Sequence, residues 1–287
     1  MLLEVLKYLE AKPGQKFIDC TLGGAGYTTA LAEKVGSKGK VLGIDLDELA
    51  INNATEIIKQ KKLKNIVLAQ GNFKSLKSII SSNFKEGTKF DGIVFDLGLS
   101  SAQLDDESRG FSFKGERPLD MAFGPDNDKS SAAILNNYQL LELTKIFQDY
   151  GEEKHSYRIA KAIVEARKIK KFEKTSDLVE LIEKTIPFRF RSKIHPATRI
   201  FQALRMETND ELDCLKEVLP LAIDILKRGG KIVVVSFHSG EDRIVKRFFK
   251  DNEALEVLTK RPLIPENDEL YANARARSAK LRAARKI

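Results

Sequence analysis

The sequence predicts an α/β fold: a parallel sheet interrupted by an all-helical insertion. Three observations lead there. Over the first hundred residues, short apolar runs alternate with segments of helical periodicity. After Asp96 that rhythm stops, giving way to a Gly- and Pro-rich stretch and then to a purely helical pattern from Ser130 to Lys184. It resumes at Lys231–Phe237 (KIVVVSF), the most apolar run in the chain and therefore a central strand.

Taken in order, Met1–Gly14 reads as an amphipathic helix, with acids among its apolar residues and no basic leader. Lys16–Cys20, Lys40–Asp45, Asn65–Ala69 and Phe90–Asp96 read as strands. Tyr27–Val35, Glu48–Lys61 and Phe73–Ser82 read as the helices between them, so the strands run parallel with right-handed crossovers. Leu97–Asp128 has loop chemistry, with Gly98, Gly110, Gly115, Pro118, Gly124 and Pro125. Four helical patterns follow, the last opened by Thr175-Ser176-Asp177 as a cap. Pro196–Met206 and Asp210–Leu226 are helical, with Gly229-Gly230 as a stop. Glu241–Lys250 is a helix, and Leu255–Leu258 and Ser278–Ala283 are short strands. The expected organisation is a sheet domain in two parts, residues 1–103 and 196–287, around an inserted helical substrate-recognition domain, residues 104–195.

Composition narrows the function. The chain has 287 residues, 42% of them hydrophobic and 31% charged, which suits a globular protein with a sizeable core. No apolar run is long enough to span a membrane. Cys20 and Cys214 supply neither a disulfide framework nor a metal spacing, and fit two reduced thiols in a cytoplasmic protein. His155, His195 and His238 are too scattered for a metal site, so no metal is expected. The net charge is +8, and two segments, Lys184–Met206 and Ala272–Ile287, each hold six Lys/Arg and no acid. Such patches suit a polyanion such as nucleic acid, although solvated helix faces would look the same.

The chemistry concentrates where strands end, which is where open α/β sheets bind ligands. Asp19-Cys-Thr-Leu-Gly23-Gly24-Ala25-Gly26 joins the first strand to the first helix after it. Its glycines allow close backbone approach, but the dinucleotide spacing G-x-G-x-x-G is not met, and Asp19 would repel a pyrophosphate. An acid there suits a cationic ligand instead, and S-adenosylmethionine carries an ammonium and a sulfonium. Asp45 ends the second strand, 19 residues after Gly26, where an acid accepts both ribose hydroxyls of an adenosine cofactor; Asp47 is better placed to cap the next helix. Phe73, after the third strand, is either core or an adenine-stacking ring. Asp96 closes the fourth strand, where a structural acid would need a buried donor and a functional role at the ligand edge is favoured, and Gln103, soon after it, is a candidate polar contact to cofactor. His238, after the fifth strand, is either a strand-end hydrogen bonder or a substrate contact.

These motifs resemble a known family. Asp91-Gly-Ile-Val-Phe-Asp96-Leu-Gly-Leu-Ser-Ser-Ala-Gln103-Leu-Asp105, Arg109-Gly-Phe-Ser-Phe113, Pro118-Leu-Asp-Met121, His195-Pro-Ala-Thr-Arg199, Ser236-Phe-His-Ser-Gly-Glu-Asp-Arg243 and Ala274-Arg-Ala-Arg-Ser278 together are similar to the bacterial small-subunit ribosomal RNA cytosine-N4 methyltransferases, also called RsmH or MraW. The resemblance spans nearly the whole chain. It implies a class I (Rossmann-like) methyltransferase domain with a helical insertion, S-adenosylmethionine as methyl donor, and a cytosine of the decoding region as acceptor, position 1402 of 16S RNA. It places the cofactor contacts on Ala25, Gly26, Tyr27, Asp45, Phe73, Asp96 and Gln103. The small ribosomal subunit is the implied partner, and a homodimer is one assembly compatible with it. The sequence departs from the family pattern at Tyr27, where other members commonly have His, and at Ala122, where Arg is common. The family often opens with a His-x-Pro-Val segment, and Met1 falls just after that point.

The acceptor amine of cytosine is a poor nucleophile, because its lone pair is conjugated into the ring. A hydrogen-bond acceptor beside it should help rehybridise the nitrogen. With Asp96 assigned to cofactor, the remaining candidates are Ser100, Ser101, Asp105 and Asp120, and the sequence does not choose among them. Three rivals fit less well. A DNA amino-methyltransferase would carry Pro-Pro-aromatic after the fourth strand, where this chain reads LGLSS; a nicotinamide oxidoreductase would carry a third glycine where this chain has Thr29, and would not carry Asp19; and a non-catalytic RNA-binding module would not need the cofactor residues. The nearest alternative is an enzyme of the same fold acting on another nucleic-acid amine.

Overall fold

A computed structural model describes residues 1–106, 108–113, 115–124, 127, 129–186 and 195–287. The chain divides into two compact units: Met1–Ser100 with Leu212–Ile287, and Ser101–Glu211. The sequence boundaries at 103/104 and 195/196 differ from these. The downstream shift has a packing cause, because helix α10 (Ala197–Thr208) lies against α6 (Ser131–Asn137), α7 (Leu140–Asp149) and α9 (Thr175–Thr185), burying Ile200, Phe201 and Leu204.

The first unit holds a seven-stranded sheet of order β3-β2-β1-β4-β5-β7-β6. Its strands are β1 (Lys16–Asp19), β2 (Lys40–Asp45), β3 (Ile66–Gln70), β4 (Phe90–Asp96), β5 (Leu226–Ser236), β6 (Leu255–Val257) and β7 (Lys280–Lys286). The first five are parallel, while β7 runs antiparallel between β5 and β6. Consecutive side chains on a strand point to opposite faces, and both faces are buried. Ile18, Leu42, Ile93, Phe95, Ile232 and Val234 pack on one side with α4 (Leu76–Asn83), α11 (Glu211–Ile225) and α12 (Ser239–Asp251). Phe17, Val41, Val94, Val233 and Val235 pack on the other with α1 (Leu2–Leu9) and α2 (Gly26–Val35). The strand order reverses between β1 and β4, which places the ligand crevice at their carboxyl ends.

Gly229-Gly230 is not a helix stop. The helix α11 ends at Ile225, and the two glycines lie within β5, where Leu226 pairs with Phe90 and Lys231 with Gly92. Four residues of β5 therefore oppose Asp91 alone, and Gly229 takes φ +79° in this bulge, a value that favours glycine. The last strand is longer than its sequence suggested. It runs through Arg282, which is buried and pairs with Asp242 at 2.6 and 3.2 Å.

The second unit contains α5 (Ser101–Asp105), α6, α7, α8 (Ser156–Ala166), α9 and α10 around Ile134, Leu143, Phe147, Ile159, Ile163, Leu178 and Ile182. The short α5 forms where the sequence suggested loop. At α9 the cap also differs: Asp177 accepts from the Lys174 amide at 3.2 Å, while the Thr175 hydroxyl accepts from the Arg117 amide at 3.1 Å. Among the described residues no helix is long and apolar enough to cross a membrane, and no group of three His, Cys, Asp or Glu could hold a metal ion.

Candidate functional site

Three strand ends bring three acids to one edge of the sheet unit. Asp19 ends β1 fully buried, its Oδ2 accepting from the Thr28 hydroxyl at 2.8 Å and its Oδ1 from the Thr21 amide at 3.2 Å. Asp45 ends β2; its Oδ2 accepts from the Gly23 amide at 2.8 Å and its Oδ1 from the Asp47 amide at 2.9 Å. Asp47 caps α3 (Glu48–Gln60), accepting from the Leu49 amide at 3.1 Å. Between these acids runs the glycine loop. Gly23 takes φ +45° and Ala25 takes φ 59°, left-handed, at the N-cap of α2. A Cβ built on Gly24 or Gly26 would meet no atom within 4 Å, so the backbone there is open to a ligand.

Asp96 ends β4, its amide donating to the Thr21 hydroxyl at 2.6 Å. The Tyr27 hydroxyl donates to its carboxylate, yet Asp96 Oδ1 is closed off from solvent and has no hydrogen-bond partner. Burial pushes the Asp96 carboxyl up to about 7; the charge of Asp19 and, more weakly, Glu241 add to this, and the Tyr27 hydrogen bond opposes it. Burial also lifts Asp19 to about 6 against its hydrogen bonds from Thr28 and Thr21. Asp45 is raised in the same way. Tyr27 is itself pushed up by burial and by Asp96 and Asp19, so it stays a donor. The N-terminal ammonium of Met1 lowers Asp96 in turn, but burial and the charge of Asp19 outweigh it, which describes a site with more acid than base.

Phe73 opens a single 3-10 turn (Phe73–Ser75), and its ring meets Phe95 edge-on, centroids 5.8 Å apart. It is half-buried, anchored in the core along one edge. Gln103 is buried on α5, in the helical unit. Ser100 closes the first segment of the sheet unit, where its Cβ faces Gly23. Ser101 opens α5, and Asp105 ends it, exposed. Asp120 is half-buried in the helical unit, its carboxyl raised by burial against the pull of Arg109. Sequence reasoning missed Thr21 and Thr28, whose hydroxyls bind the backbone of Asp96 and the carboxylate of Asp19. Their positions two and nine residues after a strand-end acid are the available signal.

On the neighbouring strand end, His238 and Glu241 form a reciprocal cap on α12. Glu241 Oε2 accepts from the Phe237 amide at 2.8 Å, and His238 Nδ1 accepts from the Glu241 amide at 3.3 Å. This satisfies the strand-end reading of His238 through one ring nitrogen only. The rest of α12 exposes Arg243, Lys246, Arg247 and Lys250, spaced so that they share one helix face.

The charge is unevenly divided. The sheet unit holds 30 Lys/Arg against 22 Asp/Glu and so carries the whole excess of +8; the helical unit is neutral. Much of the basic C-terminal segment is structural. Lys280 and Arg282 face Asp242, Arg285 pairs with Glu256, and Lys286 donates to the Ile223 and Leu226 carbonyls, while Arg275 and Arg277 are also exposed. In the other basic segment, Arg189, Arg191 and Lys193 lie outside the described residues.

The chain is similar to known proteins along its whole length. The MraW methylase family matches residues 1–287. A protein of Carboxydothermus hydrogenoformans named ribosomal RNA small subunit methyltransferase H is 40% identical, covering 100% of this chain and 96% of its own length. One of the same name from Deinococcus deserti is 44% identical over 99% of this chain and 91% of its own. Among solved structures, a candidate rRNA methylase from Clostridium thermocellum shares the fold with a TM-score of 0.51 at 16% identity, covering 100% of this chain and 97% of that one. The chain belongs to the MraW methylase family and is an S-adenosylmethionine-dependent methyltransferase.

Proposed function

We propose that the chain methylates the N4 amine of a cytosine in small-subunit ribosomal RNA, cytosine 1402 of the decoding region. The relatives named small subunit methyltransferase H and the motif resemblance support the acceptor. The observation that carries the chemistry is the convergence of Asp19, Asp45 and Asp96 on an open glycine loop. An acid-lined, cation-poor site fits a cofactor bearing an ammonium and a sulfonium.

In this reading Asp45 accepts the ribose hydroxyls, Phe73 lies against adenine, and Ala25, Gly26 and Tyr27 line the methionine end with Asp19 behind them. The motif resemblance adds Gln103 to the cofactor contacts, and the helical unit takes part in recognising RNA. The bound cofactor supplies an electrophilic methyl group. Asp96 sits where cofactor and acceptor meet: one side of its carboxylate is held by Tyr27, and Oδ1 accepts a hydrogen of the attacking amine. This assignment displaces Ser100, Ser101, Asp105 and Asp120 as first choices for the acceptor. The enzyme must bring nitrogen and methyl to about 3–3.5 Å in line. The base must be unstacked first, at a cost of a few kcal/mol. The exposed basic face of α12 binds RNA phosphates beside the site.

The test is transfer of a tritiated methyl group to small-subunit RNA, followed by nucleoside mass spectrometry. N4-methylcytidine is the expected product. A methylated base of any other kind would favour the alternative, another nucleic-acid amine on the same fold.

A further inference from the structure

Among the described residues, two buried side-chain polar atoms lack a hydrogen-bond partner: Asp96 Oδ1 and His238 Nε2. They belong to adjacent strand ends. Asp96 pairs in register with Val235 on β5, the Leu97 amide donates to the Val235 carbonyl at 2.9 Å, and His238 follows three residues after Val235. The exits stay together beyond the sheet, since a Cβ on Gly98 would lie 3.7 Å from the Phe237 ring. A buried polar atom without a partner costs free energy, and such atoms concentrate where a ligand completes them.

The protonation of His238 follows from its surroundings. Nδ1 accepts from the Glu241 amide, so it carries no proton, and in the neutral ring the proton is on Nε2. Nε2 lies 3.0 Å from Glu241 Oε1, an ion-pair distance, but makes no hydrogen bond to it. Glu241 Oε2 is meanwhile fixed on the Phe237 amide. The side chain is only 10% exposed, so water does not readily replace the missing partner.

The adjacent ends of β4 and β5 thus carry an unpartnered acceptor, Asp96 Oδ1, and an unpartnered donor, His238 Nε2–H. We propose that His238 reads the acceptor base, donating from Nε2 to ring N3 while Asp96 accepts from the neighbouring N4 amine. Cytosine offers an acceptor at position 3 and a donor at position 4. Uracil offers the reverse, a donor at position 3 and an acceptor at position 4, and meets both protein groups with the wrong polarity. His238 is therefore a specificity-determining residue as well as the cap of α12. This inference rests on the cytosine-N4 reading above and adds to it the residue that selects the base.

The cap and the reading role separate in one variant. In His238→Asn the asparagine oxygen still accepts the Glu241 amide, since asparagine is among the best N-caps, but its shorter side chain no longer places a donor at the Nε2 position. Methyl transfer is measured for wild type and His238→Asn on small-subunit RNA carrying cytidine or 3-deazacytidine at the target. Calorimetric affinity for S-adenosylmethionine and thermal unfolding are measured alongside.

The expected result is unchanged cofactor affinity and unfolding temperature, with at least about tenfold slower transfer to cytidine at saturating RNA. The 3-deaza substrate, which lacks the N3 acceptor, should slow the wild type by a similar factor and slow the variant no further. Wild-type rates in His238→Asn overturn the inference, and so do losses that multiply across enzyme and substrate changes. A wild-type enzyme that puts no methyl on cytidine N4 overturns the underlying reading instead.

Discussion

The carboxylate of Asp45 holds the amide of Gly23 at 2.8 Å, so the end of β2 fastens the loop that leaves β1. Its other oxygen holds the Asp47 amide at 2.9 Å. One acid therefore shapes the glycine loop and the turn into α3, leaving its remaining lone pairs for a ligand. Asp45→Ala should weaken S-adenosylmethionine by about 1.5–3 kcal/mol, the range for a hydrogen bond to a charged group. Titration calorimetry on the folded variant measures this, and an unchanged affinity would refute the ribose assignment.

Asp96 makes a prediction about pH as well as activity. A carboxyl whose pKa is higher in the folded chain than in the unfolded one favours folding at low pH. That contribution is complete below about 3.8, the ordinary value, and is lost as pH rises through about 7. Asp96→Asn removes the titration. The variant and wild type should unfold at similar temperatures near pH 4, and the ligand-free variant should be the more stable by a few degrees at pH 8. Methyl transfer should be lost in the variant at every pH. A destabilised Asp96→Asn at pH 8 would show that the carboxylate is satisfied in the folded chain.

Sequence periodicity was enough for the parallel half of the sheet, because β1, β2 and β4 are short apolar runs ending in an acid and followed by turn residues. The acids of the site were legible for the same reason: Asp19, Asp45 and Asp96 each close a strand. Three features were not. The full extent of β7 is hidden by its Lys and Arg, since only Ser278–Ala283 reads as strand, and the burial of Arg282 depends on the distant Asp242 that neutralises it. Gly229-Gly230 looks like a helix terminator but serves a bulge, a distinction made by pairing with β4 and invisible in local sequence. The Thr21 and Thr28 hydroxyls gain meaning only once the loop folds back onto Asp19 and Asp96.

The Arg282–Asp242 pair separates structural from RNA-binding charge. Both side chains are largely buried, and two hydrogen bonds at 2.6 and 3.2 Å join β7 to α12. Removing one partner of a buried pair leaves the other uncompensated, at a cost of about 3–5 kcal/mol. Arg282→Ala should therefore lower the unfolding temperature markedly, as read by calorimetry. Arg282→Ala with Asp242→Ala should recover part of the loss, and a double variant no more stable than the single one would remove the pair from this account.

Charge on α12 should act on RNA and not on stability. Arg243, Lys246, Arg247 and Lys250 are exposed on one face of a helix whose N-terminus carries His238. The unit that contains it holds the entire excess of positive charge. Cations bound to phosphates release counterions, steepening the log–log salt dependence of binding by about 0.7–0.9 per phosphate contact. Replacing Lys246, Arg247 and Lys250 with Gln should reduce that slope by about 2 if all three touch phosphate. Exposed charges contribute little to folding, so the unfolding temperature should hold. S-adenosylmethionine affinity should hold too, because the acids assigned to it end β1, β2 and β4. The same substitutions at Arg275 and Arg277 test the C-terminal segment in parallel. Binding of small-subunit RNA, measured across a salt series, decides between the two. A slope changed only by the Arg275 and Arg277 substitutions would move the RNA path from α12 to the C-terminal segment, and one changed by neither would make both faces solvated surface.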